Sequence, residues 1–433
     1  MKAFGLPLAA GIVLAGLAPA ATQTLTIGLK SEATSMDPLF HQLSTNIQVS
    51  KNIFEALTTQ DALQMVTPGL AESWEAVDDT TWRFKLRQGM GDVPQAPAFN
   101  DPAVAVGTGP YVLDRYTRGS EVVVTRYDDY WGGTPQWESV TMRPITSDGP
   151  RVAALLAGDV DMIESPPIQD IPRIEQGGFT IVDALSNRVI YLHMLQQPDA
   201  PGIGGTDGEN PLMDARVRKA ISMSINRQAI TERIMGGYAQ AAGELLPPPM
   251  FGTSDRPVEA YDPDAARALL AEAGYPDGFS LTLGTPNDRY INAEQVAQAV
   301  AQMMAQIGIR VSVDASTASQ FFSRRNALEF PIYLAGWGAS SGDMSSPLKS
   351  LVATYDGRYS NPEMDALLTT AMATIDDAAR DQMLQDAQTL VLDDTGIIPL
   401  HYEQTVWAMK PDLTYEPRVD QYTLAAEVKP AAE

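Results

Sequence analysis

The side chains that most often carry catalysis are scarce in this chain of 433 residues: three histidines, His41, His193 and His401, and no cysteine. Thiol nucleophiles, disulfide frameworks and Cys-rich structural zinc are thereby excluded. No His-Glu-x-x-His zinc helix and no Gly-x-x-x-x-Gly-Lys phosphate loop occurs. Gly202-Ile203-Gly204 starts like a dinucleotide fingerprint, but Asp207 stands where the third glycine belongs and no strand pattern precedes it. Carboxylate pairs such as Asp128-Asp129 and Asp376-Asp377 could serve a glycosidase. In so acidic a chain they read as solvated faces. His193 lies in the alternating run from Arg188 to Leu195, and His401 follows Ile397-Ile398-Pro399-Leu400, so each is expected to be a hydrogen-bonded strand histidine. These residue types point to binding rather than bond breaking. No cofactor is expected.

With 30 Lys+Arg against 54 Asp+Glu, the formal net charge is −24. Affinity for phosphate backbones comes from clustered cations, so nucleic acid is excluded as a partner, and anionic membrane surfaces are disfavoured for the same reason. An apolar content of 44% with 7% aromatics is that of a globular chain, and the length is enough for about three units at roughly 150 residues each.

The elements that must position any site alternate between strand and helix, which predicts a mixed α/β architecture. Lys2, the apolar run through Leu8, Ile12, Val13, Leu14 and Leu17, and Ala18-Pro19-Ala20 form an export signal, residues 1–21, with cleavage near Ala20 or Ala21 and a periplasmic destination. Strands are predicted at 24–27, 82–86, 122–124 and 180–182 from period-two alternation. Asp262-Pro263 and Asn361-Pro362 each pair a capping side chain with proline at the first helical position. A helix from Asn292 to Ile307, then strands at 310–313 and 332–335, make a βαβ succession that requires parallel strands. Pro247-Pro248-Pro249 marks a junction, and Gly202 to Asn210 reads as a surface loop.

Several segments, in order, resemble the peptide/nickel group of bacterial extracellular solute-binding proteins, family 5, which feed ABC importers. They are Glu55-Ala56-Leu57, Pro68-Gly69-Leu70-Ala71-Glu72-Ser73-Trp74, Trp82-Arg83-Phe84-Lys85-Leu86-Arg87, Gly107-Thr108-Gly109-Pro110-Tyr111 and Asp129-Tyr130-Trp131-Gly132-Gly133. Asp214 to Ile221, Tyr359 to Asp365 and Ile397 to Leu400 complete the set. Read structurally, Trp74 and Trp82 are expected to be packed aromatics, and 216–221 an amphipathic helix with its basic side in water.

The resemblance implies an α/β, two-lobed periplasmic-binding-protein fold with a hinge and the ligand between the lobes. Lobe I would take residues 22–245 plus 396–433 and lobe II 246–395. Relatives continue after the Trp82 segment into a Phe-His-Asp-Gly motif and a long segment that this chain lacks, so the extra subdomain of lobe I is expected to be shortened. In dipeptide-binding relatives an aspartate three positions after the tryptophan of a Gly-Trp motif holds the peptide amine, and an arginine about fifty residues earlier takes the carboxylate. Here Gly336-Trp337 carries the motif, Ser340 stands in the aspartate's place, the nearest acid is Asp343, and Arg289 matches the arginine. The expected ligand-binding set is therefore Arg289, Trp337, Ser340 and Asp343, for a peptide-like small molecule. The expected partners are ABC permease subunits, the expected state a monomer, and no enzymatic activity is expected. The alternatives are a nickel or metal-chelate carrier of the same family and a secreted carboxylate-dependent hydrolase.

Overall fold

A computed structural model describes residues 23–39, 43–88, 105, 107–339, 341–353 and 358–431. The export signal, His41, Ser340 and most of the region of the shortened subdomain lie outside the described residues. The principal sheet has twelve strands. At one end Thr24–Leu29 pairs in parallel with Ser139–Pro144 and Met162–Glu164. At the other, Ser280–Pro286 pairs in parallel with Arg310–Ser316 and with Ile332–Gly338, and the helix Ala293–Ala305 supplies the first crossover, as the βαβ pattern requires.

Local chemistry accounts for the boundaries. The Asp262 carboxylate accepts the Ala265 N–H at 2.9 Å and the Asn361 side chain accepts the Met364 N–H at 3.0 Å, so both predicted caps start helices, Pro263–Glu272 and Pro362–Ala373. The Gly202–Asn210 stretch is more ordered than a loop, because Ile203–Gly204 pairs with the strand edge at Ser280–Leu281.

Two long strands, Thr180–Met194 and Ile397–Met409, run antiparallel through the middle of the sheet. Each contributes one end to each of two hydrophobic cores. Val189 to Met194, Ile397, Leu400 and Tyr402 lie in the larger core with Leu270, Val300 and Leu384. Trp407 and Met409, with Val182 packed alongside, belong to a second core built on Leu25, Ile27, Val140 and Tyr415. The register of the strand pair shifts between Leu185 and Val189 and again between Ile190 and Tyr191, within the stretch that packs with the larger core. Val217, Ile221 and Leu246, before the triple proline, and Ala266 and Leu270, after it, pack in the same larger core.

Two expectations about side chains are corrected. Trp82 is 50% exposed, because Ala71–Asp78 and Thr81–Leu86 form a separate two-stranded sheet that puts Trp82, Phe84 and Leu86 on one open face. Arg218, expected in water on a basic helix face, is buried. Its guanidinium donates to the carbonyls of Leu212, Met213, Asp394 and Thr395, capping chain ends that would otherwise be buried without donors.

Candidate functional site

Two cavities open between segments that lie far apart in the chain. The first, of about 1120 Å³, lies between Leu63–Val66 and the segments 248–255, 341–343 and 377–385. The second, of about 420 Å³, lies between Lys30, Arg151 and Ser165 on one side and residues 287–293 on the other. Long strands that end at a cleft and loops carried on helix starts are the usual scaffold for a ligand site in open α/β sheets.

Two of the expected site residues line these cavities, Asp343 the first and Arg289 the second, and Trp337 lines neither. Arg289 sits exposed in the loop after Ser280–Pro286 and lines the second cavity. Its guanidinium lies 5.2 Å from the Phe322 ring centroid and 5.8 Å from that of Tyr290, within cation–π range of both rings. The adjacent Asp288 does not neutralise it: the Asp288 carboxylate accepts the Ala318 N–H at 2.7 Å, where the helix Ala318–Asn326 begins. Asp343 lines the first cavity, but its carboxylate is already engaged, in a 2.6 Å ion pair with Arg380 and a 2.8 Å hydrogen bond from the Ser345 N–H. Trp337 ends the strand Ile332–Gly338 and packs partly against the larger core, with its indole N–H buried and without a hydrogen-bond partner. The structure thus brings Asp343 to one cavity and Arg289 to the other. Ser340 lies outside the described residues, and Gly338-Ala339-Ser340-Ser341-Gly342 around it has the spelling of a nucleophile elbow. Such an elbow leads directly into a helix, whereas here a loop separates it from the three-residue turn Ser345–Pro347.

Sequence reasoning missed the group that joins the cavities to the shared strands. Glu403 is 4% exposed, on the strand Ile397–Met409, and burial raises its carboxyl pKa against the opposing pull of Arg188, Lys30 and Arg289. It accepts the Ile291 N–H at 3.0 Å and stands 3.6 Å from the Arg188 guanidinium. Arg188 in turn donates to the Gln421 side chain at 2.7 and 3.0 Å. Tyr290 donates its hydroxyl to the Gly336 carbonyl at 3.0 Å, tying the Arg289 loop to the strand that carries Trp337. The available signal was a charge flanked by apolar residues of a long strand, Arg188 before Val189-Ile190-Tyr191-Leu192 in one and Glu403 after Tyr402 in the other, because a charge buried in a sheet must find a partner. Beside the first cavity, Gln64 donates to the Ala339 carbonyl at 3.1 Å and accepts from Asn187 at 2.6 Å, joining the hairpin of Thr58–Gln60 and Val66–Pro68 to both a shared strand and the end of Ile332–Gly338.

Of the two histidines expected to be hydrogen-bonded strand residues, His193 meets the expectation and His401 does not. His193 is hydrogen-bonded, with Nε2 2.7 Å from the Leu351 carbonyl oxygen, and stacks on Tyr333. His401 is buried with neither ring nitrogen partnered, and burial pushes its pKa down to about 3.

Comparison with known proteins gives a consistent picture. Residues 93–359 match the model described as bacterial extracellular solute-binding proteins, family 5 Middle. The chain is 30% identical over 373 residues to the glutathione-binding protein GsiB of Escherichia coli (strain K12), covering 78% of this chain and 70% of that one. The GsiB of Shigella boydii serotype 4 gives the same figures. Among solved structures, the ABC transporter substrate binding protein CtaP from Listeria monocytogenes superposes with a TM-score of 0.80 at 18% identity, over 94% of this chain and 99% of that one. DppA from Helicobacter pylori, in complex with the peptide STSA, gives 0.77 at 19% identity over 94% and 98%. These structures establish the two-lobed periplasmic-binding fold. Among the described residues, no helix is long and apolar enough to cross a membrane.

Proposed function

The chain belongs to family 5 of the bacterial extracellular solute-binding proteins, and we propose that it is the substrate-binding component of an ABC importer for a peptide or peptide-like solute bearing a carboxylate. The observation that carries this reading is the pair of strands Thr180–Met194 and Ile397–Met409, each shared between two cores, with cavities lined from both sides. In this reading the lobes meet across these strands, the register shifts between Leu185 and Tyr191 act as the hinge, and the triple proline is interior to the larger lobe. The joint packing of Val217, Leu246 and Val300 supports that division. A solute touching both sides stabilises the closed form in proportion to its differential affinity for closed over open, and the permease then reads the closed shape. Arg289 and Trp337 are the ligand-binding residues of the proposal. Asp343 contributes through the wall it forms with Arg380, and Ser340 through a small polar side chain where dipeptide-binding relatives place an acid. The GsiB relatives bind glutathione by name, which supports a short peptide with free carboxylates as the solute. The protein acts by binding, as a periplasmic monomer released from its signal.

Calorimetry of ligand-stripped protein against tripeptides, glutathione, opines and nickel chelates tests this. Saturable one-to-one binding of a peptide with no product on prolonged incubation is the expected result. Cleavage of the peptide would replace the reading with a hydrolase, and binding confined to nickel chelates would replace it with a metal carrier.

A further inference from the structure

The smaller cavity is lined by three cations, Lys30, Arg151 and Arg289, and two acids, Asp148 and Asp288. Of the cations around it, Arg151 is fully engaged: its guanidinium donates to the carbonyls of Ile145, Glu164 and Ser165 and pairs with Asp148 at 2.7 Å. Among the described residues, neither Lys30 nor Arg289 makes an ion pair. The acids nearby are spent on other groups. Glu164 accepts the Lys30 backbone N–H at 2.7 Å with one oxygen and Gln48 and Thr423 with the other. Asp288 caps the helix at Ala318, and Glu403 holds Ile291. Lys30 keeps its surface towards the cavity, yet surrounding protein crowds it enough to lower its pKa, with Glu164 opposing and Arg188 reinforcing the shift. An ammonium in that position gains more from an incoming anion than one in open water, because fewer waters compete for it. Lys30 follows the strand Thr24–Leu29 of the smaller core, whereas Arg289 follows Ser280–Pro286 of the larger one.

We infer that Lys30 and Arg289 form a two-sided anion clamp, in which one carboxylate is held by the ammonium of one lobe and the guanidinium of the other, so that solutes with a free carboxylate at this end are the class that closes the protein. The inference rests on the proposed binding function for its biological meaning, but its chemistry can be tested apart from it. A carboxylate on Arg289 alone would add affinity without favouring closure; one bridging Arg289 and Lys30 favours the closed form directly, since only there do both cations reach it.

The test uses [15N]lysine-labelled protein, with Lys30→Gln identifying the Lys30 side-chain signal by its loss. Titration with acetate and succinate is expected to shift that signal saturably, and Arg289→Gln to weaken the response at least fivefold. An unmoved Lys30 signal, or one equally responsive in Arg289→Gln, overturns the clamp. In parallel, trialanine and trialanine amide are titrated by calorimetry. The free acid is expected to bind at least tenfold more tightly than the amide in the wild type and within about twofold of it in Lys30→Gln. Acid and amide binding the wild type equally well would overturn the clamp while leaving peptide binding intact. Acetate moving Lys30 while neither peptide binds would retain the clamp and discard the peptide assignment.

Discussion

Glu403 Oε1 accepts the backbone N–H of Ile291 at 3.0 Å, so a strand shared by the two cores holds the loop that presents Arg289. The bond does two jobs that substitution can separate. Glu403→Gln keeps an acceptor for Ile291 while removing a negative charge facing Lys30 and Arg289, so affinity for an anionic peptide should be unchanged or improved. Glu403→Ala removes the acceptor and frees the loop. A hydrogen bond to a charged group contributes roughly 1.5–3 kcal/mol, so peptide affinity should fall at least fivefold, with faster hydrogen exchange at the Ile291 amide. Equal losses in both variants would show that the charge, not the tether, matters.

Gly336 is the other support of that loop. Its carbonyl takes the Tyr290 hydroxyl, and an alanine Cβ there would lie 2.7 Å from Ile190 Cδ1 and 2.8 Å from Tyr290 Cε1, both closer than real contacts allow. Overpacking of this kind costs typically 1–3 kcal/mol. Gly336→Ala should lower unfolding stability by about that amount and displace Tyr290, weakening peptide binding as well. Normal affinity in a destabilised Gly336→Ala would separate the strand from the site.

Much of the scaffold was legible because it is local. The caps at Asp262 and Asn361 and the strands at 24–29, 310–316 and 332–338 follow from neighbours within a turn or a period of two. Arg289, singled out through its place in a family pattern, lines the second cavity. What remained hidden depends on residues far apart in sequence. Nothing near Asp343 foretells Arg380, nothing near Arg218 foretells the carbonyls of Asp394 and Thr395, and nothing near Lys30 foretells that residues 287–293 line the same cavity. Trp82 was misjudged for the converse reason, since an aromatic in an alternating strand normally has a layer to pack against and this hairpin shows an open face.

Arg418 ties the smaller core together around one buried charge. It pairs with Asp420 at 2.6 Å and with Glu427 at 2.7 Å, and also donates to the carbonyls of Gln60 and Asp61 at the base of the hairpin that carries Gln64. Breaking a buried pair by removing one partner costs about 3–5 kcal/mol, because the other charge stays buried alone. Arg418→Met should therefore destabilise by that amount in denaturant titrations, and Arg418→Met with Asp420→Leu should recover part of it. A double variant no better than the single one would place the cost in the lost carbonyl contacts instead.

His401 makes stability depend on pH in a definite direction. It is 1% exposed, neither ring nitrogen has a partner, and burial holds its folded pKa at about 3, whereas the unfolded imidazole titrates near 6.5. Between those values the unfolded chain binds the extra proton, so stability is lost as pH falls, by up to about 1.4 kcal/mol per unit from this group alone. Above about pH 6.5 the group contributes no slope. His401→Leu removes the titrating group and the two unpartnered nitrogens together, so the variant should match or exceed wild-type stability at pH 7.5 and lose less of it by pH 5. Thermal unfolding at half-unit pH steps gives the comparison. Parallel profiles for the two proteins would mean that the ring can reach water or a proton acceptor after all, and that the acid sensitivity of the fold arises elsewhere.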